Sequence, residues 1–108
     1  MIGHMNYYIE SCYRCATACD NCISACLETP AQEDMHECLR LAAQCAALCR
    51  LSAQYIAINK ESAAQFCKIC ADLCRACAAE CGKHALVACR HCADVCGQCA
   101  AVFDFIAE

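Results

Sequence analysis

Small apolar residues recur along the chain at steps of three and four. Cys12, Cys15, Cys19, Cys22 and Cys26 form one run, and Cys38, Cys45 and Cys49 form a second with steps of seven and four. Cys67, Cys70, Cys74, Cys77 and Cys81 repeat the first run, and Cys89, Cys92, Cys96 and Cys99 repeat all but its last step. Such alternation marks the a and d positions of a heptad, the buried seam of a helix. Four runs predict four helices. The first is expected over residues 6–28. Thr29-Pro30 with Gln32 reads as a capping box with proline at the first helical position, so the second helix is predicted to start there and run to Ile58. Glu33 and Asp34 suit its positive end. Asn59 is the expected stop, and Lys60-Glu61-Ser62 restarts the chain. The third helix is predicted to end at Cys81 with Gly82 in the left-handed cap position, and the fourth to run over 84–106. Short links force antiparallel neighbours. The expected fold is all-α: an antiparallel up-down-up-down four-helix bundle with a Cys-lined core. The match between the first and third runs reads as a duplicated helical hairpin. The second helix departs from it at Ala42, Ser52 and Ile56.

Extending each seam gives the tube two unlike ends. Met5, Tyr8, Ser52, Ile56, Ala63, Phe66, Phe103 and Ile106 are predicted to meet as an apolar plug. Cys26, Met35, Cys38, Cys81, Cys89, His36 and His84 gather at the other end, and all are soft or borderline metal ligands. His91 follows His84 by one heptad, beside Cys92. The histidines read either as boundary residues or as groups that capture metal at a mouth. Met35 reads as core filler or as a thioether ligand. Leu41, Leu48, Leu51 and Tyr55 form a second apolar stripe, either the flank of the core or an oligomer interface.

Composition sharpens this picture. Hydrophobic residues make up 61% of the 108, but 17 are Cys and 22 are Ala, with no Trp. The core must therefore be built from small side chains. With 3 Gly and 1 Pro, a sandwich of short strands and a disordered chain are both excluded. A single domain over 6–108 is expected. Residues 1–5 are expected to be a disordered start in which Gly3-His4-Met5 looks like an expression scar, so His4 is discounted. The net charge of −4 provides no basic footprint, and nucleic acid is not an expected partner. Stretches free of charged residues reach only nine residues, as in Leu41 to Cys49, so no membrane span is expected. The start lacks a charged region followed by an apolar one, so no secretory signal is expected and the cytoplasm is the expected location.

This cysteine density ordinarily means a disulfide scaffold. The odd count, the helical character and the regular spacing oppose that reading. A core of neutral thiols would be inert, and Leu would pack better there. A soft cation that displaces the proton changes this: Cu(I), Zn(II) or an iron–sulfur cluster. One Cu⁺ per thiolate leaves the core neutral, whereas four Zn(Cys)₄ sites would leave about −8 inside the bundle. Zinc also needs closed tetrahedra, into which the ladder is not expected to divide. The run Cys67, Cys70, Cys74 resembles ferredoxin spacing but lacks the terminal Cys-Pro. The CxxC and CxxxC pairs instead supply sulfurs one turn apart that could share a Cu⁺. All 17 cysteines are candidate ligands, with His36, His84, His91 and Met35 as candidates at the mouth.

By these seams the chain resembles the bacterial cytosolic copper storage proteins over residues 6–106. The resemblance implies a non-enzymatic store of many Cu(I) ions on inward thiolates, with His residues near the open mouth and assembly into tetramers. The cysteines match inward ligands one by one, whereas His36, His84 and His91 match only by position. The second helix carries just three Cys, which leaves copper coordination near Ala42 and Ser52 open. A zinc- or iron–sulfur-binding protein and a thiol/disulfide redox buffer are the alternatives.

Overall fold

The structure is a computed structural model and describes residues 2–29, 32–58 and 60–107. Four helices carry the fold: α1 over Ile2–Leu27, α2 over His36–Ile58, α3 over Lys60–Cys81 and α4 over Val87–Ala107. Frequent alanine favours helix and offsets the weaker propensity of cysteine. Helix α1 begins at Ile2, ahead of the start expected at Asn6. Expectations placed on Pro30, on Asn59, and on the side chains of Met5, Gln32, Glu33 and Ile106 fall outside the described residues.

The helix ends differ from expectation in three places. Thr29 does not open α2 but closes α1. Its amide donates to the Cys26 carbonyl at 3.2 Å and its hydroxyl to the Ala25 carbonyl at 2.9 Å, satisfying groups that a helix end leaves bare. A 3₁₀ turn over Gln32–Met35 follows, and α2 starts only at His36. Gly82 is not in the left-handed region, since no described glycine has a positive φ. Helix α3 instead tightens into bonds from Lys83 to Glu80 and from His84 to Cys81, at 3.1 and 3.2 Å. Glycine avoids a tight contact at position 82, where a Cβ would lie 3.1 Å from the Ala78 carbonyl oxygen. Helix α4 begins at Val87 rather than His84. The Leu86 carbonyl accepts its first bond, from Arg90 at 3.0 Å, which leaves His84 in the link.

Each helix packs on its two sequence or closing neighbours, α1 on α2 and α4, α3 on α2 and α4, in an up-down-up-down bundle. The bundle measures 46 × 18 × 17 Å, and this narrow waist reflects a core of Cys and Ala. All 17 cysteines are buried, along with Ala16, Ala42, Ala46 and Ala71. One end is plugged by Phe103, Ile56 and Ala63, with Tyr8 and Ile9 packed against them. Tyr55 stacks on Phe66 beside it, ring centres 4.0 Å apart. Leu41 and Leu48 pack on the core as its flank, while Leu51 stays exposed. By length and hydropathy α2 could cross a membrane. Its buried face, from Cys38 to Ile56, packs into this bundle, and Arg40 and Arg50 on its outer face pair with Glu37 and Asp20.

Phe103 is the largest fully buried side chain. Truncation of Phe103 to Ala should cost the reduced, metal-free bundle about 3–5 kcal/mol, read by anaerobic urea unfolding. A loss below about 1 kcal/mol would show that the plug is not a packed core.

Candidate metal centre

Heptad spacing on four helices turns every cysteine toward one axis, and the sulfurs meet there. From the end holding Met35, Cys26 lies 3.5 Å from Cys89, which lies 3.4 Å from Cys22. Cys22 reaches Cys38 at 3.6 Å, and Cys38 reaches Cys81 at 3.3 Å. The path continues from Cys81 to Cys92 at 3.9 Å, to Cys96 at 3.7 Å and to Cys15 at 3.6 Å. Cys15 leads to Cys74 at 4.0 Å, then to Cys49 at 3.9 Å and to Cys70 at 3.6 Å. A continuous line of sulfurs therefore crosses all four helices, with no step longer than 4.0 Å. These gaps are about twice a disulfide bond, and all the cysteines are free thiols.

With metal–thiolate bonds of about 2.3 Å, a metal between two sulfurs separates them by about 3.8 Å in a tetrahedral site and about 4.6 Å in a linear one. The observed steps suit shared, three- or four-sulfur coordination. The i,i+4 pairs Cys22/Cys26 and Cys92/Cys96, at 4.0 and 3.7 Å, would have to spread for linear binding. Sulfurs gather in fours: Cys15, Cys49, Cys74 and Cys99; Cys19, Cys77, Cys92 and Cys96; Cys22, Cys26, Cys38 and Cys89. These three groups share no member, so the ladder does divide into closed four-thiol cages, contrary to the expectation from spacing. Geometry alone thus admits zinc. Charge opposes it, because three such zinc sites would leave about −6 in the core. A further group, Cys15, Cys19, Cys45 and Cys96, overlaps two of them, as bridging thiolates require.

Electrostatics divide the thiols of the empty core. Burial pushes the Cys12, Cys26, Cys38 and Cys89 thiols up, and Cys67 up to about 12. Within the hydrogen-bonded ladder directions alternate. Cys45 is lowered by hydrogen bonding from Cys15, and Cys92 by Cys19, while Cys19 and Cys74 are raised by bonding with Cys15. The shifts come from sulfur–sulfur hydrogen bonds, which favour the thiolate on one partner and the thiol on the other. Ser52 is fully buried beside this network, its hydroxyl without a hydrogen-bond partner but near enough to favour a Cys70 thiolate. An orphan donor facing sulfur fits a core whose sulfurs become anionic under a cation.

The mouth residues separate. Met35 is buried at the Cys38 end, whereas His36 and His91 are exposed. His84 is half-buried, and its Nε2 lies 2.8 Å from Glu80 Oε2. That bond leaves Nδ1 free and fixes the ring. No histidine joins a sulfur group among the described residues. The Glu80 partner had not been anticipated, although its i,i+4 spacing to His84 was visible.

Comparison with known proteins decides what such a core is. The copper storage protein family profile matches residues 2–104. The chain belongs to the copper storage protein family. Its fold superposes on Cu(I)-bound copper storage protein BsCsp3 of Bacillus at a TM-score of 0.92, with 35% identity over 97% of this chain and 99% of that one. A cytosolic copper storage protein from Streptomyces lividans, described during copper loading with five coppers, matches at a TM-score of 0.92 and 32% identity, over 97% and 92% of the two chains. An uncharacterized cysteine-rich protein of Bacillus subtilis (strain 168), YhjQ, is 40% identical over 76 residues, 70% of each chain. For this copper storage family member the zinc, iron–sulfur and redox alternatives are not favoured.

The raised thiols make metal-free stability depend on pH with a definite sign. Both folded and unfolded chains hold the Cys12 and Cys67 protons below the ordinary thiol value of 9.0, so the contribution of these two groups should be flat there. Above it the unfolded chain ionises first, and stability should fall as pH rises toward about 12, where the folded Cys67 ionises. Urea midpoints of reduced apo-protein at pH 7, 9 and 10.5 read this directly. A midpoint that climbs with pH would show that the lowered thiols, Cys45 and Cys92 among them, outweigh the raised Cys12 and Cys67.

Proposed function

We propose that the chain is a cytosolic store that sequesters many Cu(I) ions on its 17 inward thiolates, loading at the His84, Met35 and Cys38 end and filling toward the Phe103 plug. One observation carries this reading: the unbroken sulfur path from Cys26 to Cys70, in which each step is short enough for a copper ion to exchange one thiolate for the next. Exchange moves Cu⁺ without redox change and without ever exposing it to water. The plug closes one end with apolar side chains, so the ligand-bearing end is the way in. There His84, oriented by Glu80, and Met35 offer soft or borderline donors ahead of Cys38. His36 and His91, both exposed, would act only as transient captors at the rim. The chain stores and does not catalyse, copper being cargo. A cytosolic location is supported by the Streptomyces relative. Assembly into a homo-oligomer, a tetramer by family resemblance, is supported by exposed Leu51 and Ile58 on α2 and Ile69 on α3.

Stopped-flow mixing of anaerobic, reduced protein with a weakly held Cu(I) complex tests the direction of filling. The double variant Cys38→Ala/Cys89→Ala should slow the first coppers at least tenfold. Cys12→Ala at the plugged end should lower total capacity and leave the first phase unchanged. The reverse pattern would place the way in at the plug.

A further inference from the structure

One sulfur of the ladder is also the floor of an outer cavity. Between α1 and α4, near the plugged end, a pocket of about 290 Å³ opens over Cys99. Cys99 is the one thiol with measurable exposure, 2% against 0% for the rest. Its S–H points outward to the Ser11 carbonyl at 3.7 Å, on the pocket wall. The same sulfur lies within 4.8 Å of those of Cys15, Cys49 and Cys74. Copper held in that group is therefore one atom from the cavity. Arg14 stands at the rim, its guanidinium donating to the Gln98 amide oxygen at 2.5 Å. That partner is neutral, and no carboxylate lies within 4.0 Å of Arg14 among the described residues. Glu10, one turn earlier, lines only the neighbouring shallow hollow.

Resting on the storage reading, we propose that this groove is a side port through which a small thiol bearing a carboxylate withdraws Cu(I) from the core. The volume holds roughly ten waters at ~30 Å³ each, which fits a small molecule and not a protein partner. A carboxylate that replaces the Gln98 amide on Arg14 gains a charge-assisted, two-pronged contact. It also anchors the ligand's thiol over Cys99. The exchange then balances without any oxidant: the incoming thiol forms a Cu–S bond, the Cu–Cys99 bond and the ion's remaining bonds to the group break in turn, one proton passes from the incoming thiol to Cys99, and the other sulfurs keep the protons or neighbouring Cu⁺ that already neutralise them. Copper stays Cu(I) throughout. Loading at the ligand-bearing end and withdrawal at the side would let the store fill and empty by different routes.

Fully copper-loaded wild type and Arg14→Gln are challenged with 3-mercaptopropionate and, separately, with 2-mercaptoethanol, and the copper left on the protein is followed in time. Arg14→Gln should load as much copper as wild type. Its loss of copper to 3-mercaptopropionate should slow about tenfold, with the 2-mercaptoethanol rate within twofold. Arg14→Lys should recover most of the carboxylate-specific rate, and Val102→Phe, which narrows the groove, should slow both thiols. Equal slowing of both thiols in Arg14→Gln, or of neither, overturns the port while leaving storage standing. A wild type that takes up no more than one or two coppers overturns the storage reading and the port with it.

Discussion

Seventeen sulfurs buried in one narrow core can all be anionic only if each charge is cancelled where it forms. The bundle's interior offers no lysine or arginine to do so among its buried residues. The proton does it in the empty protein, and burial strengthens its hold, as the raised Cys12 and Cys67 show. A monovalent soft cation does it in the loaded protein. Exchanging one for the other preserves neutrality, with metal–sulfur bonds taking the place of the S–H···S contacts. That equivalence would let a helix bundle hold many metal ions in its core without accumulating charge.

The scaffold follows from the same constraint. Cysteine and alanine fill the seam, so the helices approach closely and the cross-section is only 18 × 17 Å. A wider core of Leu would have separated the sulfurs beyond bridging distance. The cohesion that small side chains cannot supply is concentrated at the Phe103 plug and on the partly buried flank of Leu39, Leu41, Leu48 and Leu73. Outer ion pairs such as Arg75–Asp104, at 2.7 Å, tie α3 to α4 but are exposed and contribute little, on the order of 0–1 kcal/mol each.

Periodicity made most of this legible. The 3-4 stepping of the cysteines specified four helices, their antiparallel order and the burial of every thiol, because a heptad admits only one inward face. The polarity of the tube was equally readable, from Phe103 and Ile56 at one end and Cys38 and Cys89 at the other. The helix ends were not. Thr29 has two competing uses, and its bond back to Ala25 prevailed over an N-cap. Gly82 looked like a left-handed cap but has no positive φ, and what its missing Cβ avoids is a tight approach to the Ala78 carbonyl. Nor could spacing along single helices reveal the closed four-thiol cages, which draw members from up to four helices and depend on rotation and register. The α1/α4 groove over Cys99 was invisible for the same reason, since Ser11, Arg14 and Gln98 become neighbours only when two helices are aligned.

Proton counting addresses neutral exchange most directly. Reduced apo-protein at pH 7 in weak buffer is titrated with Cu(I) supplied as an acetonitrile complex, and the released acid is measured by pH-stat. Neutral exchange predicts close to one proton per copper from the first addition until the thiols are filled. Two protons per copper sustained to saturation would mean that negative charge accumulates inside the bundle, and no release would mean that copper binds elsewhere than on the thiols; either would contradict it.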